Sequence, residues 1–131
     1  MSIEIRPQYH FRKTDTGLDA WNVKRLTELS SSLPTRKIDP NSIPELHTNH
    51  WYMEEGSVPS PSSVIEHFKL INDCDLSYPI ILDANGRVMD GMHRICKAII
   101  NNIREIDAVQ FKTDPDPDYV DCIPSQLPYD A

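Results

Sequence analysis

The dipeptide Asn85-Gly86 constrains the fold of this 131-residue chain more than any other feature of its sequence. It stands between an apolar run, Tyr78–Leu82, and a second short run at 87–89. Asn-Gly favours a two-residue type I′ turn because both residues tolerate left-handed backbone. The pattern therefore predicts an antiparallel hairpin in the second half of the chain.

Helices are predicted on both sides of this hairpin. Ser60-Pro61 supplies a capping hydroxyl and a proline at the first helical position, which predicts a helix over about 61–73. A second helix is expected from Gly91 to about residue 101, with strands at 36–39 and 106–111. The apolar positions that indicate the two helices are Val64, Ile65, Phe68, Ile71, Ile95, Ala98 and Ile99.

A further helix is predicted near the N-terminus, over about 17–32. Thr16 precedes it as a capping residue. Asp19 stands three residues later, where its carboxylate can accept a hydrogen bond from the backbone N–H of Thr16. Apolar residues then recur at helical spacing until Pro34 ends the pattern. Strands and helices together predict an α+β fold, with a small mixed sheet and flanking helices.

Charge divides the chain into one domain, 1–112, whose core is expected over about 60–112, and an acidic, proline-rich tail, 113–131. The tail holds five aspartates and no lysine or arginine, so it carries five of the seven net negative charges. DNA-binding domains are usually basic, so DNA is an unlikely partner. The sequence has no apolar run of roughly 20 residues, and the N-terminus lacks a signal-peptide pattern, so a cytoplasmic protein without membrane contact is expected.

The segment Asp90–Arg94 joins the predicted hairpin to the second helix, and its chemistry indicates an anion site. The first turn of a helix has unpaired N–H groups and the positive end of the helix dipole, where acidic side chains are favoured. This sequence instead places His93 and Arg94 there. Gly91 lets the backbone approach a ligand closely, and Arg94 can grip phosphate oxygens. Asp90 is open to two interpretations, a helix cap or a group that holds Mg²⁺ or a substrate amine.

The stretch from Tyr78 to Arg94, with the helix and strand after it, resembles the core of the ParB/sulfiredoxin superfamily. The likeness covers about 60–112, and Lys37–Pro40 is similar to the family's first strand. At the motif the closest branch is an archaeal free-serine kinase, which has Asp-Gly-His-His-Arg where this chain has Asp-Gly-Met-His-Arg. The resemblance implies a nucleotide, ATP, ADP or CTP, with its phosphates on Gly91, Met92, His93 and Arg94, and Mg²⁺ as a companion.

Two differences between this sequence and members of the superfamily disfavour some of the superfamily's activities. Sulfiredoxins have a reactive cysteine directly after the motif glycine, where this chain has Met92, so sulfiredoxin activity is not expected. ParB partition proteins add a helix-turn-helix and a dimerisation domain that do not fit after Phe111, so a partition or nuclease role is also disfavoured.

The sequence leaves two functions open. The first is a small phosphotransferase or nucleotide hydrolase, in which a glutamate, Glu54, Glu55 or Glu45, accepts a proton and Asp90 assists. The second is a non-catalytic, nucleotide-responsive module whose tail and proline-rich loop contact a protein partner.

Overall fold

The computed structural model describes residues 9–52 and 57–128. Within them the chain alternates strands and helices, so the fold is mixed α and β, as predicted. The elements are β1 (Tyr9–Lys13), β2 (Leu18–Asn22), α1 (Val23–Ser30), β3 (Arg36–Ile38), α2 (Pro61–Asp73), β4 (Ile80–Leu82), β5 (Val88–Asp90), α3 (Met92–Ile100) and β6 (Ile106–Gln110). Short 3₁₀ turns lie at Pro40–Ser42, Pro44–His47 and Pro124–Gln126.

The strands form two sheets. β1 and β2 make an antiparallel pair, which we call the N-terminal hairpin. The main sheet has the order β3-β6-β4-β5, in which only β4 and β6 run parallel. Because β5 and α3 lie between β4 and β6 in sequence, α3 is the crossover that makes this parallel pair possible. The strands and helices predicted from β3 through β6 are all confirmed.

The main sheet is buried on both faces. Ile80 and Leu82 of β4 pack with Ile95 of α3, whereas Ile81 packs with Leu26 of α1 on the opposite face. This alternation follows from the two-residue period of a strand. The sheet therefore separates an α3 side from an α1 side, and any site at the start of α3 stands at the border between them.

The turn between β4 and β5 is a hairpin, as predicted, but it is not a type I′ turn. Gly86 has a φ of 83°, whereas Asn85 does not have a positive φ. Gly86 N donates to Asp83 O at 2.9 Å, and Asp83 N donates to Arg87 O at 2.8 Å, which matches a three-residue loop with a glycine bulge. Asp83 explains the difference, because its fully buried carboxylate accepts from the N–H groups of Asn85 and Arg87.

The predicted helix over about 17–32 is wrong in its first third. Those residues form β2, which pairs with all five residues of β1. α1 begins only at Val23, and its cap is Asn22, whose Oδ1 accepts from Arg25 N at 3.1 Å. Thr16 instead donates its hydroxyl to Asp121 at 2.6 Å. Pairing with a neighbouring strand thus overrides a local helical periodicity.

The described part of the tail packs along the N-terminal hairpin. Trp21 Nε1 donates to Pro115 O at 2.8 Å. Ala20, fully buried in β2, forms an isolated antiparallel bridge with Tyr119. The tail acts as a third, irregular strand beside β2, so part of its backbone polarity is satisfied by the domain.

Arg12 of β1 connects three parts of the molecule. Its two Nη atoms donate to Asp83 at 2.7 Å and to Asp114 at 3.0 Å. Its guanidinium also lies over the Trp21 ring, 4.7 Å from the centroid. The N-terminal hairpin, the β4–β5 turn and the tail are therefore held by one side chain.

The helix predicted over 61–73 is confirmed as α2, with Ser60 Oγ accepting from Ser63 N at 3.3 Å. Its apolar stripe, however, does not face the core. Only Ile71 is buried, at 8% exposure, whereas Phe68 is 52% exposed.

Candidate anion site at the first turn of α3

The first turn of α3 starts from a glycine that no other residue can replace without strain. Gly91 has a φ of 115°, and a Cβ at this position would lie 2.6 Å from Ile80 Cγ2. Ile95 N donates to Gly91 O at 3.0 Å, so the three N–H groups before it point out of the open end of the helix. The turn therefore presents bare backbone at the positive end of the helix dipole.

The three side chains of this turn leave in different directions. Met92 is 6% exposed and belongs to the core cluster on the α3 side of the sheet. Only its N–H group is therefore available to a ligand. His93 and Arg94 lie in separate environments, which determine what each can contribute.

Arg94 forms an ion pair with Asp90. Its Nη2 donates to Asp90 Oδ2 at 2.8 Å, and the two side chains are only 14% and 27% exposed. Burial raises the pKa of Asp90, an effect that the positive charge of Arg94 opposes. Asp90 therefore does not cap α3 through its side chain. It holds the guanidinium beside the helix end.

A cavity of about 400 Å³ opens next to this ion pair, on the α1 side of the sheet. Its walls are aliphatic side chains of β4 and β6, and hydroxyl groups from the end of α1 lie around them. The lining residues are Thr27, Ser30, Ser31, Leu33, Thr35, Tyr78, Pro79, Ile81, Asp90, Arg94 and Val109. An apolar volume with one charged pair is the usual composition of a small-molecule site.

His93 lies in an aromatic stack instead. Trp51 stacks on His93 with ring centroids 4.9 Å apart and on His67 with centroids 4.2 Å apart. His67 Nδ1 and His93 Nε2 are 2.9 Å apart and share a hydrogen bond. Burial, together with His67, His50 and Arg94, lowers the pKa of His93 to about 4. His93 is therefore neutral near pH 7 and does not add the positive charge expected of it.

α2 and α3 lie side by side and run in the same direction. His67 of α2 meets His93 of α3, and further along both helices Lys97 Nζ donates to Asn72 O at 2.9 Å and to Cys74 O at 2.7 Å. The contacts advance together along the two helices, so both N-termini are at the same end. His93 therefore stands at the N-terminus of α3, whereas His67 is the seventh residue of α2.

Of the three candidate bases, Glu45 is the one whose surroundings are described. Its Oε1 accepts from Val88 N at 2.8 Å, at the outer edge of β5. Its Oε2 is buried and has no hydrogen-bond partner among the described residues. Burial lowers the pKa of the nearby His50, an effect that the negative charge of Glu45 opposes. Glu54 and Glu55 lie outside the described residues.

Comparison with known proteins identifies no relative of this chain. No family model, no curated protein and no solved structure matches the chain. In the described ranges, no three His, Cys, Asp or Glu side chains converge as metal ligands. Nor does any helix in those ranges have the length and apolarity to cross a bilayer.

Sequence reasoning missed several groups around the site. Trp51 and His67, which stack with His93, have no motif spacing that links them to Asp90–Arg94, because contacts across the fold bring them together. The role of Asp83 in the β4–β5 turn was missed as well. One local signal existed: Asp83 precedes an Asn-Gly turn, where an aspartate commonly bonds backbone N–H groups. The stacking of Trp51 on two imidazoles had no such signal.

Proposed function

We propose that this protein binds a nucleotide, with a phosphate group on the first turn of α3. The observation that carries the proposal is the joint position of Arg94, the open N-terminus of α3 and the cavity of about 400 Å³. Backbone N–H groups and a guanidinium are the groups that recognise phosphate oxygens in proteins. The cavity offers room for the organic part of the ligand.

The surroundings support a ligand of this type on both sides of the turn. Arg94 is held in place by Asp90 and does not need to be ordered when an anion docks. On the other side, neutral imidazoles of His67 and His93 can donate or accept hydrogen bonds beside the N-terminus of α3. The order of α2, β4, β5, α3 and β6 also agrees with the elements on which the ParB/sulfiredoxin resemblance rests.

A small phosphotransferase or nucleotide hydrolase is the catalytic form of this proposal. In it an acceptor oxygen attacks the terminal phosphorus, the bond to the nucleotide oxygen breaks, and the acceptor's proton passes to a carboxylate. Of the three candidate glutamates Glu45 is the described one, and its Oε2, which has no hydrogen-bond partner among the described residues, supports its assignment as the group that accepts that proton. Asp90 is paired with Arg94, and Glu45 Oε1 accepts from Val88 N.

The same two contacts favour a second function, a non-catalytic nucleotide-responsive module. Asp90 holds Arg94 and one oxygen of Glu45 holds Val88 N, so each carboxylate already has a structural role. In this form, the bound nucleotide alters the ion pair between Asp90 and Arg94, and no covalent bond of the nucleotide is broken.

Calorimetry with ATP, ADP and CTP tests the binding proposal. Arg94→Ala should weaken binding at least tenfold, because a hydrogen bond to a charged group is worth roughly 1.5–3 kcal/mol. Arg104→Ala removes the same charge from an exposed position beyond the far end of α3 and should leave affinity unchanged. Equal affinity of the parent and Arg94→Ala, or no binding of any of the three nucleotides by the parent, would contradict the proposal. Nucleotide turnover by the parent then separates the catalytic form from the module.

A further inference from the structure

His67 and His93 form a pair of imidazoles joined by one hydrogen bond. His67 Nδ1 and His93 Nε2 are 2.9 Å apart, and the planes of the two rings differ by 22°. Trp51 stacks on both rings, at angles of 13° and 15° between the planes. The hydrogen bond holds one proton between the two facing nitrogens, so one of them donates and the other accepts.

This pair can take up one further proton without losing its hydrogen bond. In the neutral pair one outer nitrogen, either His67 Nε2 or His93 Nδ1, carries no hydrogen. A proton from solvent binds there, and both outer nitrogens then donate while the inner hydrogen bond remains. A second proton would place hydrogens on both inner nitrogens and break that bond. The intact pair therefore accepts a single proton.

The surroundings keep this proton off the pair in the free protein. Burial lowers the pKa of both histidines, and burial together with nearby positive charge lowers the pKa of His93 to about 4. The other titratable groups that face the pair are His50, Tyr52, Glu66 and Arg94. Arg94 and a charged His50 oppose protonation, whereas Glu66 favours it. Near pH 7 the pair is therefore neutral.

We infer that the His67–His93 pair takes up a proton when a phosphate docks on the first turn of α3. His93 is the second residue of that helix, so a phosphate held by the first N–H groups lies beside its imidazole. The negative charge of the phosphate stabilises the imidazolium and offsets the repulsion from Arg94. The ring of Trp51 stabilises the new positive charge as well. The inference rests on the proposed function and adds its regulation, because the nucleotide then binds more tightly as pH falls.

Calorimetry at pH 8 and pH 5.5, in buffers of different ionisation enthalpy, counts the protons exchanged on binding. The ligand is whichever of ATP, ADP and CTP binds the parent most tightly. Its terminal phosphate titrates at roughly pH 6, so each variant is compared with the parent. At pH 5.5 the parent should take up most of one proton more than His93→Phe. Between pH 8 and pH 5.5 its affinity should gain about fourfold relative to that variant, because a nearby opposite charge raises proton affinity by on the order of a hundredfold.

Three further variants distinguish the pair from a single histidine. His67→Phe keeps a ring beside Trp51 but cannot bond His93, so it should lose the proton uptake. His67→Asn places a side-chain oxygen near the position of Nδ1, where it can accept from His93, and should restore part of the uptake. His47→Phe changes an exposed histidine outside the stack and should match the parent. Circular dichroism at both pH values checks that each variant is folded.

Three results would overturn the inference while leaving nucleotide binding in place. They are equal proton uptake by the parent and His93→Phe, full uptake by His67→Phe, and no restoration by His67→Asn. Absence of binding of all three nucleotides at both pH values would instead contradict the proposed function, and the inference with it.

Discussion

His93 and Arg94 are adjacent in sequence, yet they lie on different sides of the first turn of α3. Arg94 faces the α1 side, where it meets Asp90 and a cavity of about 400 Å³. His93 faces α2, where it stacks on Trp51 and bonds His67. Successive residues on a helix point about 100° apart, so adjacent residues of a sequence motif need not contact the same ligand.

The comparison shows that the charge of this turn comes from Arg94 alone. Burial keeps His93 neutral near pH 7 by lowering its pKa to about 4, whereas the guanidinium of Arg94 forms an ion pair with Asp90. A docking anion therefore competes with one carboxylate on the Arg94 side. On the His93 side it meets neutral hydrogen-bonding groups.

The largest effect is expected from Gly91→Ala, because the backbone at Gly91 sets the position of the first turn of α3 and so of both Arg94 and His93. The new Cβ would lie 2.6 Å from Ile80 Cγ2 at a φ of 115°. We expect the free energy of unfolding in urea to fall by about 3 kcal/mol or more, from strain and overpacking together.

Gly86→Ala is the matched control for that substitution. Gly86 also has a positive φ, 83°, but its added Cβ would meet only Gln110 Nε2, at 3.9 Å. Strain alone should then lower the free energy of unfolding by about 1–2 kcal/mol. Equal losses in the two variants would show that contact with Ile80 does not fix the first turn.

A smaller effect, on pH dependence, isolates the His93 side. The pKa of His93 is lower in the folded protein than its ordinary value of 6.5. The stability that depends on a neutral His93 is therefore present in full above about pH 6.5 and is lost as pH falls towards 4. His93→Phe keeps the ring beside Trp51 but cannot be protonated. Between pH 7 and pH 4 we expect it to lose about 1–2 kcal/mol less stability than the parent, allowing for the partial exposure of His93.

Two other histidines set the background of that experiment. The pKa of His10 is also lowered to about 4, mainly by burial, so the parent and His93→Phe share this acid sensitivity. His47→Phe changes an exposed histidine and should follow the parent. Identical pH profiles for His93→Phe and the parent would mean that protonation of His93 does not disturb the stack.

The smallest effect concerns the competition on the Arg94 side. Asp90→Asn keeps a hydrogen-bond acceptor for Arg94 but removes the carboxylate charge that competes with phosphate. Nucleotide affinity by calorimetry should rise by about threefold, the size expected of one partly screened charge interaction. Weaker binding than in the parent would instead indicate that Asp90 itself contacts the ligand. If the protein is an enzyme, the same variant should turn over about a hundredfold more slowly.

The part of the fold that the sequence predicts is the part built from local signals. Ser60-Pro61 begins α2, Asn85-Gly86 turns the hairpin and Gly91 opens α3, each through the backbone preference of one or two residues. The type of the turn was predicted wrongly, because the buried carboxylate of Asp83 decides it.

The remainder depends on contacts that no local pattern contains. β2 was predicted as a helix because its partners, β1 and Tyr119, are recognised only in the folded chain. The stripe of α2 has helical spacing, but spacing alone does not tell whether it faces the core or water. At the site, the motif placed Arg94 correctly beside the helix end, whereas the neutral stack around His93 depends on Trp51 and His67.

The contacts between the N-terminal hairpin and the tail have a consequence for the order of folding. Ala20 pairs with Tyr119 and Arg12 binds Asp114, so each contact closes a loop of about a hundred residues. Closing such long loops slows folding, because chain entropy is lost before the contacts form. During synthesis α2, β4, β5, α3 and β6 can assemble as soon as they leave the ribosome, while β2 waits for the segment around Tyr119. Until then the edge of β2 stays open, and this interval is when the newly made chain is most exposed to pairing with another strand.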